Sequence, residues 1–267
     1  MLNHYENQCV PALAALIEAD AITYSVLYKI LTGVCTDIYT DGEGIVIAYS
    51  APPYPIWVWC REESLRAVEE VFRCLKANFP LEQGYVIILS DSLRQALADL
   101  DDVFAGAEEK MGLLSYRLDA LAEAPPACDG TMHLVGQEEI EALIPHWIAM
   151  RVEMEGKTIT EDHARTTMTR MAGEKGLFAW KNEVGETVAL CARGDQSPYS
   201  KVTSVYTLPE HRRRGYCQNL VYAVTKGMLR DGFIPILYTD ADYAASNACY
   251  QKIGYRQIGR LTSIRHK

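Results

Sequence analysis

Residues 204–224 read SVYTLPEHRRRGYCQNLVYAV, and this stretch decides how the rest of the chain is read. The β-branched and aromatic run over 202–208 predicts a strand. Pro209 ends it, because proline has no N–H to give to a ladder. From Cys217 onward the apolar positions fall at helical spacing, with Cys217, Leu220, Val221, Val224 and Met228 on one face. Between strand and helix stand Arg212, Arg213, Arg214 and Gly215. Three cations at a helix N-terminus oppose the macrodipole at about 0.3–1 kcal/mol each. That cost makes sense where an anion docks. Gly215 lets the backbone approach closely and turn its N–H groups outward, so strand, turn and helix together make a phosphate cradle. Taken alone, the stretch is also readable as a solvated basic turn before a surface helix. A nucleic-acid footprint is the weaker alternative, because the run is short and has no interleaved aromatics.

The 267 residues suffice for two modest domains or one large one. A hydrophobic content of 49% with 23% charged residues is that of a soluble globular protein. No apolar run, 85–89 included, is long enough to cross a bilayer, so no membrane partner is expected. The opening MLNHYEN lacks a basic and then apolar leader, which leads to the expectation of a cytoplasmic protein. Eight cysteines, at 9, 35, 60, 74, 128, 191, 217 and 249, include no C-x-x-C pair. Neither a zinc site nor a disulfide framework is expected; they read as small core residues with room for one reactive thiol. Charge is uneven. Residues 1–124 hold 8 Lys and Arg against 19 Asp and Glu, and the remainder 18 against 16. A polyanionic ligand would therefore be taken by the second half.

Taken in order, one or two helices over 10–31 open the chain. A hairpin follows, with strands 35–40 and 45–50 around the turn at 41–44. Next come a strand at 56–60 and a helix at 62–77, with Leu65, Val68, Phe72 and Leu75 inward and an acidic first turn. A buried strand at 85–89 follows, then a helix capped by Ser90 or Asp91 running to about 100, and a strand at 112–118. Residues 122–130, AEAPPACDG, have prolines, small side chains and no periodicity. The expected division is a first domain over 1–124, a linker over 125–130 and a second domain over 131–267. The second half reads as strand 132–135, a helix over 138–153, a second helix from Thr160 or Glu161 to 171, and strands 177–181 and 187–193. After the basic unit come strand 235–240, helix 243–252 and strand 255–265, with Gly232 closing the helix between. The order of elements over 56–118 echoes that over 202–265.

The pattern V-x-T-x-P-x-x-R-x-x-G-x, from Val205 to Tyr216, resembles the acyl-CoA loop of the GNAT N-acetyltransferase superfamily. Arg212 and Gly215 match its Q/R-x-x-G-x-G/A motif, while Cys217 stands where glycine or alanine is expected. The resemblance covers the chain from about Met132 onward. It implies an α/β (α+β) fold with the mixed central sheet of the GNAT type in the C-terminal half. It also implies acetyl-CoA as acyl donor without a metal, held by Val205, Tyr206, Thr207, Arg212, Arg213, Arg214, Gly215, Tyr216, Cys217 and Asn247. An N-terminal half that keeps the element order but has lost the motif, a degenerate GNAT-like domain, resembles the glycine N-acyltransferase branch. At its counterpart of the loop, residues 57–64, no glycine opens the backbone, and Glu62 and Glu63 stand where arginines would be needed. That half is expected to bind no CoA.

Residues 242–255, DYAASNACYQKIGY, resemble the superfamily's second motif. Asn247 and Tyr250 are three apart and share a helix face. The resemblance implies that Asn247 borders the pantetheine arm and that Tyr250 protonates the leaving thiolate; a tyrosine merely packing on the sheet is the plainer alternative. The implied chemistry is acyl transfer to an amine through a tetrahedral oxyanion. A phenol within reach can protonate the departing thiolate, and a backbone N–H of the strand 205–208 can hold the oxyanion. No Ser-His-Asp or Cys-His set is visible, so direct attack is the simpler mechanism. His211 reads as solvated or phosphate-side. Glu153 and Glu155 lie where acceptors bind in such folds, and read equally as a solvated helix end. The leading expectation is an N-acetyltransferase acting on a small amine or amino acid, with no nucleic-acid partner. The runner-up is a CoA-binding or interaction protein without turnover.

Overall fold

A computed structural model of the chain describes residues 2–33, 36–156 and 158–267. Cys35, which the sequence reading placed in a strand, lies outside the described residues. A strand β1 (Asn3–Gln8), a 3-10 stretch (Pro11–Asp20) and a helix α1 (Ser25–Gly33) lead into the expected hairpin of β2 (Thr36–Thr40) and β3 (Ile45–Tyr49). The turn between them is organised by one carboxylate. Asp41 Oδ1 accepts the amides of Glu43, Gly44 and Ile45 at 2.9–3.0 Å, in an Asx-type turn. Partial burial pushes the Asp41 carboxyl up, but the amides outweigh it and hold it below the usual aspartate range. A carboxyl depressed in the folded state adds stability that is present above its unfolded value and lost as pH falls through the folded one. Stability is therefore expected to drop below about pH 4. Asp41→Asn keeps an acceptor oxygen and should flatten that drop, read by urea unfolding at pH 3 and pH 6.

β4 (Ile56–Cys60) follows, then α2 (Leu65–Asn78), β5 (Ile87–Leu89), α3 (Asp91–Ala98), a one-turn α4 (Asp102–Ala105) and β6 (Glu108–Arg117). α2 begins three residues later than the periodicity suggests. The Ser64 hydroxyl accepts the Ala67 amide and caps the helix, which leaves Glu62 and Glu63 outside its first turn. The buried stripe is Val68, Val71, Cys74 and Leu75; Leu65 is 69% exposed, and Phe72 packs only at the edge of the core. Ser90 caps α3 by accepting the Leu93 amide, as its position predicts. In the second half β7 (Thr131–Leu134), α5 (Ile140–Glu155), α6 (Glu161–Gly173), β8 (Leu177–Lys181), β9 (Thr187–Gln196), β10 (Tyr199–Thr207), α7 (Tyr216–Arg230), β11 (Ile234–Asp240), α8 (Ala244–Ile253) and β12 (Arg256–Arg265) follow the expected order within a few residues. The fold is α/β with mixed sheet pairing.

The elements form two compact units. The first holds the chain up to Tyr116 together with residues 239–243 and 257–267; the second holds residues 117–238 and 244–256. This differs from a division at 125–130 in one important respect. The last strand joins the first unit, because β12 runs antiparallel to β5 with Thr262, Ser263 and Ile264 opposite Leu89, Ile88 and Ile87. Ile264 is buried there among Ile56, Val71, Leu75 and Leu93. In the first unit β4 and β5 are parallel and joined through α2. In the second unit β7, β8, β9 and β10 are successively antiparallel, and β10 and β11 are parallel and joined through α7. One face of that sheet is covered by α5 and α6, with Trp147, Met150, Met168, Leu190, Tyr206 and Leu208 in a common core. α7 lies against β8, β9 and β10 and buries Leu220, Val221, Val224 and Met228, residues separate from that core and so on the other face.

Candidate functional site

The site is built from a strand that loses its partner. β10 and β11 pair from Tyr199–Ile234 to Val202–Leu237. Among the described residues their pairing ends there, although β10 continues to Thr207. On the other side β10 stays paired with β9, but the register slips by one residue between Thr203 and Tyr206. Ser204 sits at φ 51°, an uncommon conformation for a residue with a side chain. Such a bulge takes a residue out of the ladder and re-aims the backbone beside a gap between strands.

Past the gap, residues 208–215 turn the chain into α7. Pro209–His211 make a 3-10 turn, Arg213 adopts φ 65° and Gly215 φ 86°. Gly215 is the N-cap of α7 and offers no side chain to its amides; the first turn holds no acid either. The first helical bond is Asn219 N to Gly215 O, so the amides of Tyr216, Cys217 and Gln218 precede any intrahelical partner. Contrast α2, where Ser64 serves that purpose. An uncapped helix start preceded by exposed Arg213 and Arg214 has the free amides and the positive charge that suit an anion.

Across α7, α8 supplies Asn247 and Tyr250. Tyr250 is 7% exposed, and its ring meets Tyr255 edge-on at 6.2 Å. Burial, with the Cys217, Cys191 and Cys249 thiols nearby, pushes its phenol well above the usual tyrosine value, so it keeps its proton. α8 ends at Gly254, whose φ of 114° and close approach to Ala120 O explain the glycine: a Cβ there would stand 2.7 Å from that oxygen. Tyr255 N closes back on Tyr250 O at 3.1 Å, and Ala122 N donates to Ile253 O at 2.9 Å. Gly254→Ala should cost about 1–3 kcal/mol from backbone conformation alone, with the clash in addition. A lowered thermal midpoint is the expected readout; an unchanged one would contradict this account of the turn.

A family model described as FR47-like protein matches residues 179–264, the stretch that holds β9, the basic loop, α7 and α8. Similar solved structures span almost the whole chain. A GCN5-related N-acetyltransferase from Sphaerobacter thermophilus has a TM-score of 0.71 at 14% identity, covering 98% of this chain and 94% of that one. A GNAT-family acetyltransferase from Colwellia psychrerythraea has a TM-score of 0.64 at 14% identity, covering 99% and 100%. The chain has the GNAT fold. A Drosophila protein is similar too, with a TM-score of 0.69 at 14% identity over 100% and 98% of the two chains. No curated protein matches the sequence.

Within this GNAT fold the expected site residues divide into those whose side chains face the loop and those turned elsewhere. Arg212 is turned elsewhere. Its guanidinium holds both oxygens of Glu153 at 2.6 and 2.9 Å, donates to Thr207 O at 3.1 Å and lies 5.6 Å from the Tyr206 ring centre. Glu153, at the end of α5, thus ties that helix to the loop; the side chain of Glu155 lies outside the described residues. Tyr206 is buried in the α5–α6 core, and its backbone stands opposite Leu190 of β9. Val205 and Thr207 are half-buried at the bulge. Tyr216 is turned inward, its hydroxyl donating to Asp129 Oδ1 at 2.6 Å. That bond is the chief reason the phenol is raised and the carboxyl lowered. His211 is largely enclosed, not solvated: its side chain is 12% exposed, and Nε2 lies 3.5 Å from Glu186 Oε2.

Two features were missed in the sequence. Residues 125–130, read as a linker, are fastened to the second unit. Asn219 Nδ2 donates to Pro126 O at 3.0 Å and Trp180 Nε1 to Asp129 O at 2.8 Å, while Gly130 packs so closely on Lys181 that a Cβ would overlap its carbonyl. The other is a thiol group: Cys217 on α7 and Cys249 on α8 interact, with Cys191 of β9 close by. Among the described residues no group of three or more His, Cys, Asp and Glu is placed to hold a metal, and no helix is long and apolar enough to cross a membrane.

Proposed function

We propose that the chain is an acyl-CoA-dependent N-acyltransferase that moves an acetyl group from acetyl-CoA to the amine of a small molecule or amino acid. The observation that carries this reading is the bare start of α7, with left-handed Arg213 and Gly215 opening it beside the bulged end of β10, which has left β11. The amides of residues 215–217 and the side chains of Arg213 and Arg214 take the pyrophosphate; Arg212 contributes backbone only, its side chain being held by Glu153. Asn247 borders the thiol-bearing arm. The bulge in β10 offers an N–H from 205–207 to the oxyanion that forms when the amine attacks the thioester carbonyl, the Leu208 amide being donated to Val188 O. Tyr250 supplies the proton to the departing thiolate, and no acyl-enzyme is required.

The repeated parallel unit, β4-α2-β5 in one half and β10-α7-β11 in the other, supports a tandem arrangement like that of the glycine N-acyltransferase branch. In the N-terminal copy Ser64 satisfies the helix start, and the Glu63 carboxylate accepts the hydroxyls of Ser90 and Ser92 at 2.6 and 2.9 Å. A phosphate there would meet a filled cap and a negative charge. The test is release of free thiol from acetyl-CoA across a panel of small amines and amino acids. Amine-dependent release supports the reading. Tight acetyl-CoA binding without release on any amine would instead mark a CoA-binding protein without turnover.

A further inference from the structure

We propose that residues 126–129 are a strap that replaces the missing helix cap at the CoA site. Asp129 and Asn219 act as positioning residues, holding the first turn of α7 while its amides stay free for the donor's phosphates. The inference rests on the acyl-CoA reading and deepens it, because it gives a part in donor binding to a segment outside the motif. A helix start needs something to hold it, and a side-chain cap ordinarily does so by occupying the amides. Ser64 does this for α2, where its hydroxyl accepts the Ala67 amide. Gly215 has no side chain to do it for α7, and the first turn there carries no acid. Those amides are what an anion binds. Whatever fixes the turn must therefore act through other groups.

The strap acts through side chains. Tyr216 and Asn219 are three apart on α7 and share a face. The Tyr216 hydroxyl donates to Asp129 Oδ1 at 2.6 Å, and the residue is buried. Asn219 Nδ2 donates to Pro126 O at 3.0 Å and to Gly215 O at 3.1 Å, so one amide group ties the strap to the residue that opens the helix. Cys128 runs beside the same glycine: a Cβ at 215 would stand 4.0 Å from the Cys128 Cβ. The strap is fixed in turn to β8. Trp180 Nε1 donates to Asp129 O at 2.8 Å, and Gly130, at φ 83°, packs onto the Lys181 carbonyl. None of these contacts uses the amides at the start of α7. A turn held in place beforehand loses less conformational freedom when the pyrophosphate arrives, which strengthens binding. Asp129 serves by its acceptor oxygen. Its charge is a disadvantage beside a phosphate site.

The test compares Asn219→Ala, Asp129→Ala and Asp129→Asn with the parent chain. Both alanine variants are expected to bind acetyl-CoA about 10-fold more weakly by calorimetry, the scale of a lost hydrogen bond. Their KM for acetyl-CoA should rise in step, with kcat at saturating donor within about 2-fold of the parent, because the chemistry at Tyr250 is untouched. Asp129→Asn keeps the acceptor for Tyr216 and should bind at least as tightly as the parent. Hydrogen exchange on the parent chain needs no substitution, and it decides the matter if an alanine variant does not fold. Acetyl-CoA should slow exchange at residues 127–130 as well as at 215–218, the reciprocal of the strap's effect on binding. Unchanged affinity in the alanine variants, an Asp129→Asn variant as weak as Asp129→Ala, or protection confined to 215–218 would overturn the proposal. A parent chain that binds no acetyl-CoA refutes the acyl-CoA reading itself. One that binds it with the same affinity as every variant refutes the strap alone.

Discussion

Tyr250→Phe is expected to bind acetyl-CoA as the parent chain does while its kcat falls by about 10²–10⁴-fold, the range for loss of a general acid. The ring is enclosed, at 7% exposure, and meets Tyr255 edge-on at 6.2 Å; phenylalanine keeps both features. What the substitution removes is a proton on a group that burial and neighbouring thiols hold protonated far above the usual tyrosine value. A phenol raised in that way stays neutral through the physiological range, so its own titration should place no falling limb on kcat below about pH 10. Thiol-release kinetics for both proteins, with calorimetric acetyl-CoA affinities alongside, make the comparison. Parent-level kcat in the phenylalanine variant would return Tyr250 to a packing role.

Gly215→Asp should weaken acetyl-CoA binding by about 10²-fold or more, through repulsion of the phosphates and competition for the helix-start amides. Space is not the obstacle, because a Cβ at 215 would meet nothing nearer than Asn219 Nδ2 at 3.6 Å. The obstacle is chemical. Aspartate tolerates positive φ better than most residues, so the fold survives. Its carboxylate would then sit at the helix start and compete for the very amides that the pyrophosphate needs. Unchanged affinity by calorimetry would move the anion site away from this loop.

Much of this site was legible because its signals are local. Pro209, three arginines, Gly215 and an apolar face at helical spacing lie within one short stretch, and each acts on its own neighbours. Gly254 was readable for the same reason. The bulge was hidden, since Ser204 adopts a left-handed conformation with no glycine to announce it. Pairing across space was also hidden. The sequence marks β12 as a strand but not that β5 is its neighbour. Arg212 illustrates the limit at a single residue: the motif marks its position, while its side chain is claimed by Glu153, fifty-nine residues earlier. Composition misled at 125–130, where prolines and small residues suggested a free linker, and Trp180 and Tyr216 bind the segment down at Asp129.

The two helix starts, Ser64 ahead of α2 and Gly215 ahead of α7, differ in who satisfies their amides, and that difference is the centre of the account. Calorimetric titration of the intact, reduced chain with acetyl-CoA tests it most directly. One acetyl-CoA per chain is the predicted stoichiometry, with the loop at residues 212–217 filled and the N-terminal copy closed by Ser64 and Glu63. Two per chain, or none, would contradict it.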